Sequence, residues 1–137
     1  MSGLIVWRTS MAGLSSNTPL PVDITLHSVS RMLEVKFDDG AQFKLPCEYL
    51  RVFSPSAEVR GHGGPMKTIP GKQAVNIIAI EPVGHYAVKL VFSDGHDSGL
   101  FGWDVLYALG MEHAVNWQDY LNRLAASGFS RDADQPE

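Results

Sequence analysis

Only one cysteine, Cys47, occurs in the 137 residues, so no intramolecular disulfide can form and a reducing compartment is expected. Long apolar runs are also missing. None approaches the roughly 18–20 residues of a membrane span, and the short apolar patch near the N-terminus follows no basic segment and is interrupted by Arg8, which argues against a signal peptide. Basic residues are outnumbered, 11 Lys and Arg against 15 Asp and Glu for a net charge of −4. No global field therefore draws in nucleic acid or anionic lipid. The expected setting is the cytoplasm, with neither a membrane nor a nucleic acid as partner. Catalytic signatures are absent as well: there is no Gly-x-Ser-x-Gly elbow, no His-Glu-x-x-His run and no CxxC pair. Gly61-His62-Gly63-Gly64 is not read as a phosphate loop, because no Gly-Lys-Ser/Thr run and no following helix complete it. The chain is expected not to be an enzyme.

What is present reads as one domain, with 45% hydrophobic and 19% charged residues, ordinary values for a globular protein. Residues 1–18, rich in Ser, Gly and Thr, are read as a disordered leader, with Met11 as an alternative start, and 129–137 as a flexible tail. Between them, Val22, Ile24 and Leu26 alternate with polar residues, and Leu33, Val35 and Phe37 do the same. Such period-two alternation marks half-buried strands. Asp39-Gly40 turns the chain into a short strand carrying Phe43 and Leu45. Pro46 suits the first position of a helix reaching Phe53, on which Cys47 and Leu50 share a face. Ala74 to Pro82 is apolar on both faces, as a central strand would be. Tyr86 to Phe92 alternates again, turns at Asp94-Gly95 and returns through Leu100 and Phe101. A helix begins near Trp103 and is expected to end at Gly110. Trp117, Tyr120, Leu121 and Leu124 form the stripe of a last helix, ended by Gly128. The two hairpins resemble each other, VKFDDGAQF and VKLVFSDGHDSGLF, each with a Phe before an Asp-Gly turn. These elements predict an α+β domain: a mainly antiparallel sheet of about six strands, with two or three helices, the last ones packed on one face.

Two loops carry the polar groups of interest. Asp94, His96, Asp97 and Ser98 surround the second Asp-Gly turn, where imidazole and carboxylate together could serve as metal ligands or as an acid–base pair. The bland alternative is that Asp94 serves the turn while His96 and Asp97 are solvated. The long segment from Ser54 to Lys72 holds Arg60, His62, Lys67 and Lys72 against one acid, Glu58. A loop of that length is more often functional or disordered than a plain connection. With Arg51 it could form a small anion-binding surface, but no aromatic residues are interleaved, as nucleic-acid recognition would require. Cys47, on an apolar helix face, reads as a buried, inert thiol. His27, His85 and His113 are scattered and suggest nothing by themselves.

Several pieces together resemble a known family. Phe37-x-x-Gly40, Leu50-Arg51, Ser54-Pro55-Ser56-Ala57-Glu58, Gly61-His62-Gly63, Val83-Gly84-His85-Tyr86-Ala87 and the run from Phe92 to Gly99 are similar to the gamma-butyrobetaine hydroxylase-like N-terminal domain family, over about Leu20 to Gly110. In hydroxylases of that kind a similar domain precedes the iron- and 2-oxoglutarate-dependent catalytic domain and carries a structural zinc. A similar domain is also attached to P-loop scaffold proteins of iron–sulfur cluster assembly. In neither setting does it perform the chemistry. The resemblance implies zinc-ligand positions at Ser54, Ser56, Val59 and His96, of which His96 alone keeps a ligand. Hydroxyls and Val cannot replace thiolates, so the Cys₃His zinc site is lost.

The resulting expectation is a non-catalytic accessory or protein-interaction module, with a protein partner linked to iron–sulfur or oxygenase proteins and a recognition surface that includes Arg51, Arg60, His62, Lys67 and His96. The alternative is a small metal-binding protein that holds iron or zinc through His62, His96, Asp94 and Asp97.

Overall fold

In the computed structural model, residues 4–8, 18–55 and 68–128 are described. Among these residues, seven strands and three helices follow in chain order: β1 (Leu4–Arg8), β2 (Pro21–His27), β3 (Met32–Phe37), β4 (Gln42–Pro46), α1 (Cys47–Val52), β5 (Ile77–Val83), β6 (Ala87–Phe92), β7 (Leu100–Gly102), α2 (Trp103–Met111) and α3 (His113–Ala126). They build two antiparallel sheets in simple sequential order, β1-β2-β3-β4 and β5-β6-β7. The six strands expected from the sequence are all present, and the α+β class holds.

One core joins both sheets and all three helices. Ile24, Leu26, Leu33, Val35 and Leu45 from the first sheet meet Ile77, Val88, Leu90, Phe92 and Phe101 from the second. Leu106, Tyr120 and Leu124 cover them from α2 and α3, with Trp117 and Leu121 packed alongside, so the stripe on the last helix is a core face. All six residues of α1 are buried, which puts Cys47 and Leu50 inside together. Burial pushes the Cys47 thiol up to about 11, keeping it neutral.

The two hairpin turns are geometrically alike, as their sequences suggested. The Phe37 amide donates to the Ala41 carbonyl at 2.8 Å and the Gly40 amide to the Phe37 carbonyl at 3.1 Å; Phe92 to His96 at 2.9 Å and Gly95 to Phe92 at 3.0 Å repeat the pattern. Gly40 and Gly95 both sit at φ 92°, the left-handed position that closes a short hairpin loop with a bulge. In each turn the aspartate accepts an amide two residues on: Asp39 from Ala41 at 2.9 Å, Asp94 from His96 at 3.2 Å. Such a side-chain bond fixes the turn locally.

Several expectations are corrected. Residues 4–8, placed in a leader, form β1 and pair with β2. LIVWR is too short to show a period, and its pairing is non-local. Val22 is not on the buried face: the β2–β3 register shifts between Pro21 and Asp23, and Val22 turns outward. The segment read as a central strand is the edge β5, with Ile78 outward at a second register shift between Ile77 and Ala79. Pro46 is the N-cap of α1 and the last residue of β4, not the first helical residue. Gly110 lies inside α2 rather than beyond its end, because a Cβ there would run into the Phe43 ring. The demand at this position is close packing, not a left-handed cap. The Gly128 stop is as expected, with φ 81° just after Ser127, the C-cap of α3.

Candidate functional site

The β6–β7 turn faces the end of α1. Asp94 Oδ2 accepts from Arg51 Nε at 2.9 Å and from Lys72 Nζ at 2.8 Å, so two cations from different elements converge on one carboxylate. Partial burial favours its protonation most strongly, but Lys72, the His96 amide and Arg51 together outweigh it and hold Asp94 at about 2. The Arg51 side chain is only 10% exposed, and its Nη1 finds no hydrogen-bond partner among the described residues. The Asp94 carboxylate thus has two tasks, shaping the turn and neutralising a buried guanidinium.

Beside this cluster, His96 Nε2 lies 3.0 Å from Ser54 Oγ, both residues being buried. Gly99 is required here, since a Cβ would collide with the Ser54 hydroxyl. Ser54 and His96 are two of the four positions where the family resemblance places zinc ligands, and they do converge in space, joined by a hydrogen bond. A hydroxyl and an imidazole do not suit zinc as a pair of donors. Among the described residues no group of three or more His, Cys, Asp or Glu converges as a metal site would need. Asp97 is exposed, and the ring of His96 is engaged with Ser54.

Of the expected recognition residues, Arg51 and His96 are inside the protein, 8% and 4% exposed. Burial removes them from any docking surface. Arg60, His62 and Lys67 lie outside the described residues. The partnership of His96 with Ser54 was not anticipated from the sequence, though the resemblance pointed at both positions.

A second feature was also missed. The β5–β6 turn and the start of α2 enclose an open cleft of about 520 Å³ lined by Leu20, Gly84, His85, Tyr86, Trp103 and Asp104. Two hydrogen bonds fix its wall: Trp103 Nε1 donates to the His85 carbonyl at 2.7 Å, and the Trp103 amide to the Tyr86 carbonyl at 3.0 Å. Gly84 takes φ 56°, and the Tyr86 ring lies against it, where a Cβ would meet the ring at 2.9 Å. Tyr86 is nevertheless 63% exposed. The Gly84-His85-Tyr86 run was the available signal, but it reads as a connection until the fold sets Trp103 beside it.

Fold and site together define a small α+β domain of two antiparallel sheets closed by helices, in which Asp94 with Arg51 and Lys72, and Ser54 with His96, are engaged with one another. Within that class the chain belongs to the family described as gamma-butyrobetaine hydroxylase-like, N-terminal, which matches residues 24–107. Two proteins known from solution NMR structures are similar: one is 48% identical with a TM-score of 0.76, over 88% of this chain and 95% of its own. The other is 50% identical with a TM-score of 0.74, over 93% and 98%. A crystal structure of a protein of unknown function from Acidithiobacillus ferrooxidans, of the DUF971 family, is 40% identical with a TM-score of 0.57, over 66% of this chain and 91% of that one. No curated protein matches the chain. No helix among the described residues is long and apolar enough to cross a membrane.

Proposed function

We propose that this domain is a non-catalytic protein-interaction module whose docking feature is the cleft at Gly84, Tyr86 and Trp103. The observation that carries the reading is an exposed tyrosine on a rigid, hydrogen-bonded wall, beside an open and mainly apolar hollow. Tyrosine and tryptophan set around a concave patch supply large contact area at little entropic cost, which is why they anchor interfaces. The more reactive side chains fit the same reading. Ser54 and His96 are buried against each other, Asp94 balances two cations, and Cys47 is a neutral core thiol.

Cells expressing the tagged full chain or its Tyr86→Ala variant provide the test, with retained proteins compared by quantitative mass spectrometry. Tyr86 is exposed, so its loss leaves the core intact. A protein retained by the wild type and lost from the variant is the expected result. Identical sets from the two would remove the cleft from the reading.

A further inference from the structure

The cleft has a charge character that defines its ligand more closely, an inference that rests on the interaction-module reading. We propose that it receives an arginine side chain of a partner polypeptide. Three observations carry this. Among the described residues lining the hollow, Asp104 is the one acidic side chain, and none is a Lys or Arg. One of its oxygens, Oδ1, accepts the Val105 amide at 2.9 Å, which fixes the carboxylate at the first turn of α2. The Tyr86 ring is backed by Gly84 and 63% exposed, so it offers an aromatic surface in the same cleft as that carboxylate.

An apolar ligand would cover Asp104 without giving it a partner, and desolvating an unpaired carboxylate is unfavourable. An anion would be repelled by it. A cation with a long apolar stem satisfies both parts of the lining, since its methylenes lie along Leu20 and the rings while its head meets the carboxylate. Arginine fits better than lysine here. Its planar guanidinium stacks on an aromatic face while its N–H groups still point sideways at an acid. The volume of about 520 Å³ admits the side chain together with neighbouring backbone. The chain's net charge of −4 favours the approach of a basic segment.

The test is an NMR titration of the ¹⁵N-labelled full chain with three blocked tripeptides, Gly-Arg-Gly, Gly-norleucine-Gly and Gly-Glu-Gly. The arginine peptide is expected to move the Trp103 indole signal and the Gly84 and Tyr86 amides, and to bind more tightly than the other two. Asp104→Asn should weaken it about threefold to fivefold, the size expected of one exposed ion pair, and leave the norleucine peptide unaffected. Tyr86→Ala should weaken it further while Tyr86→Phe retains it, which separates loss of the ring from loss of the hydroxyl. Both positions are exposed, and the dispersed spectrum of each variant reports that it is folded. Equal binding of the arginine and norleucine peptides, no effect of Asp104→Asn, or shifts confined to another surface would each overturn the proposal. A cleft that prefers norleucine would overturn the arginine occupant and leave the cleft as the docking feature; unchanged capture by Tyr86→Ala in cells is what removes the cleft from the interaction-module reading.

Discussion

Asp94 is the residue on which the β6–β7 turn and the end of α1 depend, and its chemistry gives a pH signature. Its carboxyl is held at about 2 against an ordinary 3.8, so the folded state binds the proton less readily than the unfolded chain. The stabilisation this provides is therefore present above about pH 4 and is lost as pH falls through 4 toward 2. Asp94→Asn keeps the turn geometry but leaves Arg51 and Lys72 without a counter-charge. A loss of about 1–2 kcal/mol at pH 7 is expected, with a shallower decline of stability than wild type between pH 4 and 2, measured by urea unfolding across that range. Arg31 is the opposite case, a residue whose side chain does not suit its backbone. It sits at φ 56° in the β2–β3 turn while its carbonyl accepts the Cys47 amide at 2.9 Å. Glycine adopts this conformation without steric penalty, so Arg31→Gly should raise stability by about 0.5–1 kcal/mol in the same assay. Asp94 was legible as a turn residue from its Gly neighbour. Its ion pairs were not, because Arg51 lies 43 positions away and only the fold brings it near.

At the scale of elements, the helices are held by aromatic contacts whose periodicity was readable but whose partners were not. The Tyr49 hydroxyl donates to the Leu109 carbonyl at 2.7 Å and accepts from Asn116 at 3.1 Å, tying α1 to α2 and α3. His113 stacks on the same ring at 4.4 Å, and its burial lowers its pKa. Phe37, Phe43 and Tyr107 form an edge-to-face cluster between the first sheet and α2, and the Tyr107 hydroxyl reaches Asp39 at 2.6 Å. The closeness of α2 to β4 depends on Gly110 having no side chain. Sequence reasoning took that glycine for a helix stop because a cap is the commoner reason for a glycine near a helix end. Gly110→Ala discriminates between the two roles. Alanine is the better helix former and would be neutral or slightly stabilising at an exposed interior position. Against the Phe43 ring it should instead destabilise by about 1–3 kcal/mol, read from the thermal midpoint, and Phe43→Ala in the same chain should relieve part of that loss.

Across the whole molecule, alternation made β2, β3 and β6 legible because each buries one face in the shared core, and a period-two pattern is the direct imprint of such burial. Failures came where burial did not follow from local pattern. The two register shifts, at Val22 and Ile78, put an apolar residue outside and cannot be seen without the partner strand. Edge and centre were confused for β5, since a run of apolar residues looks alike in both places. β1 was missed altogether, and its position predicts its role. It pairs with β2 through five residue pairs, Leu4 with His27 to Arg8 with Asp23, and so covers what would be the sheet's edge. Deleting residues 1–17 should therefore leave a folded domain with a cooperative unfolding transition, less stable by about 2–4 kcal/mol for the lost ladder at roughly 0.5–1.5 kcal/mol per bond. Hydrogen exchange locates the effect. Amides of β2 that bond to β1 should lose at least about tenfold in protection beyond the uniform decrease, while those of β3 facing β4 should show only the uniform part. Loss of the cooperative transition would instead make β1 part of the core rather than its cover.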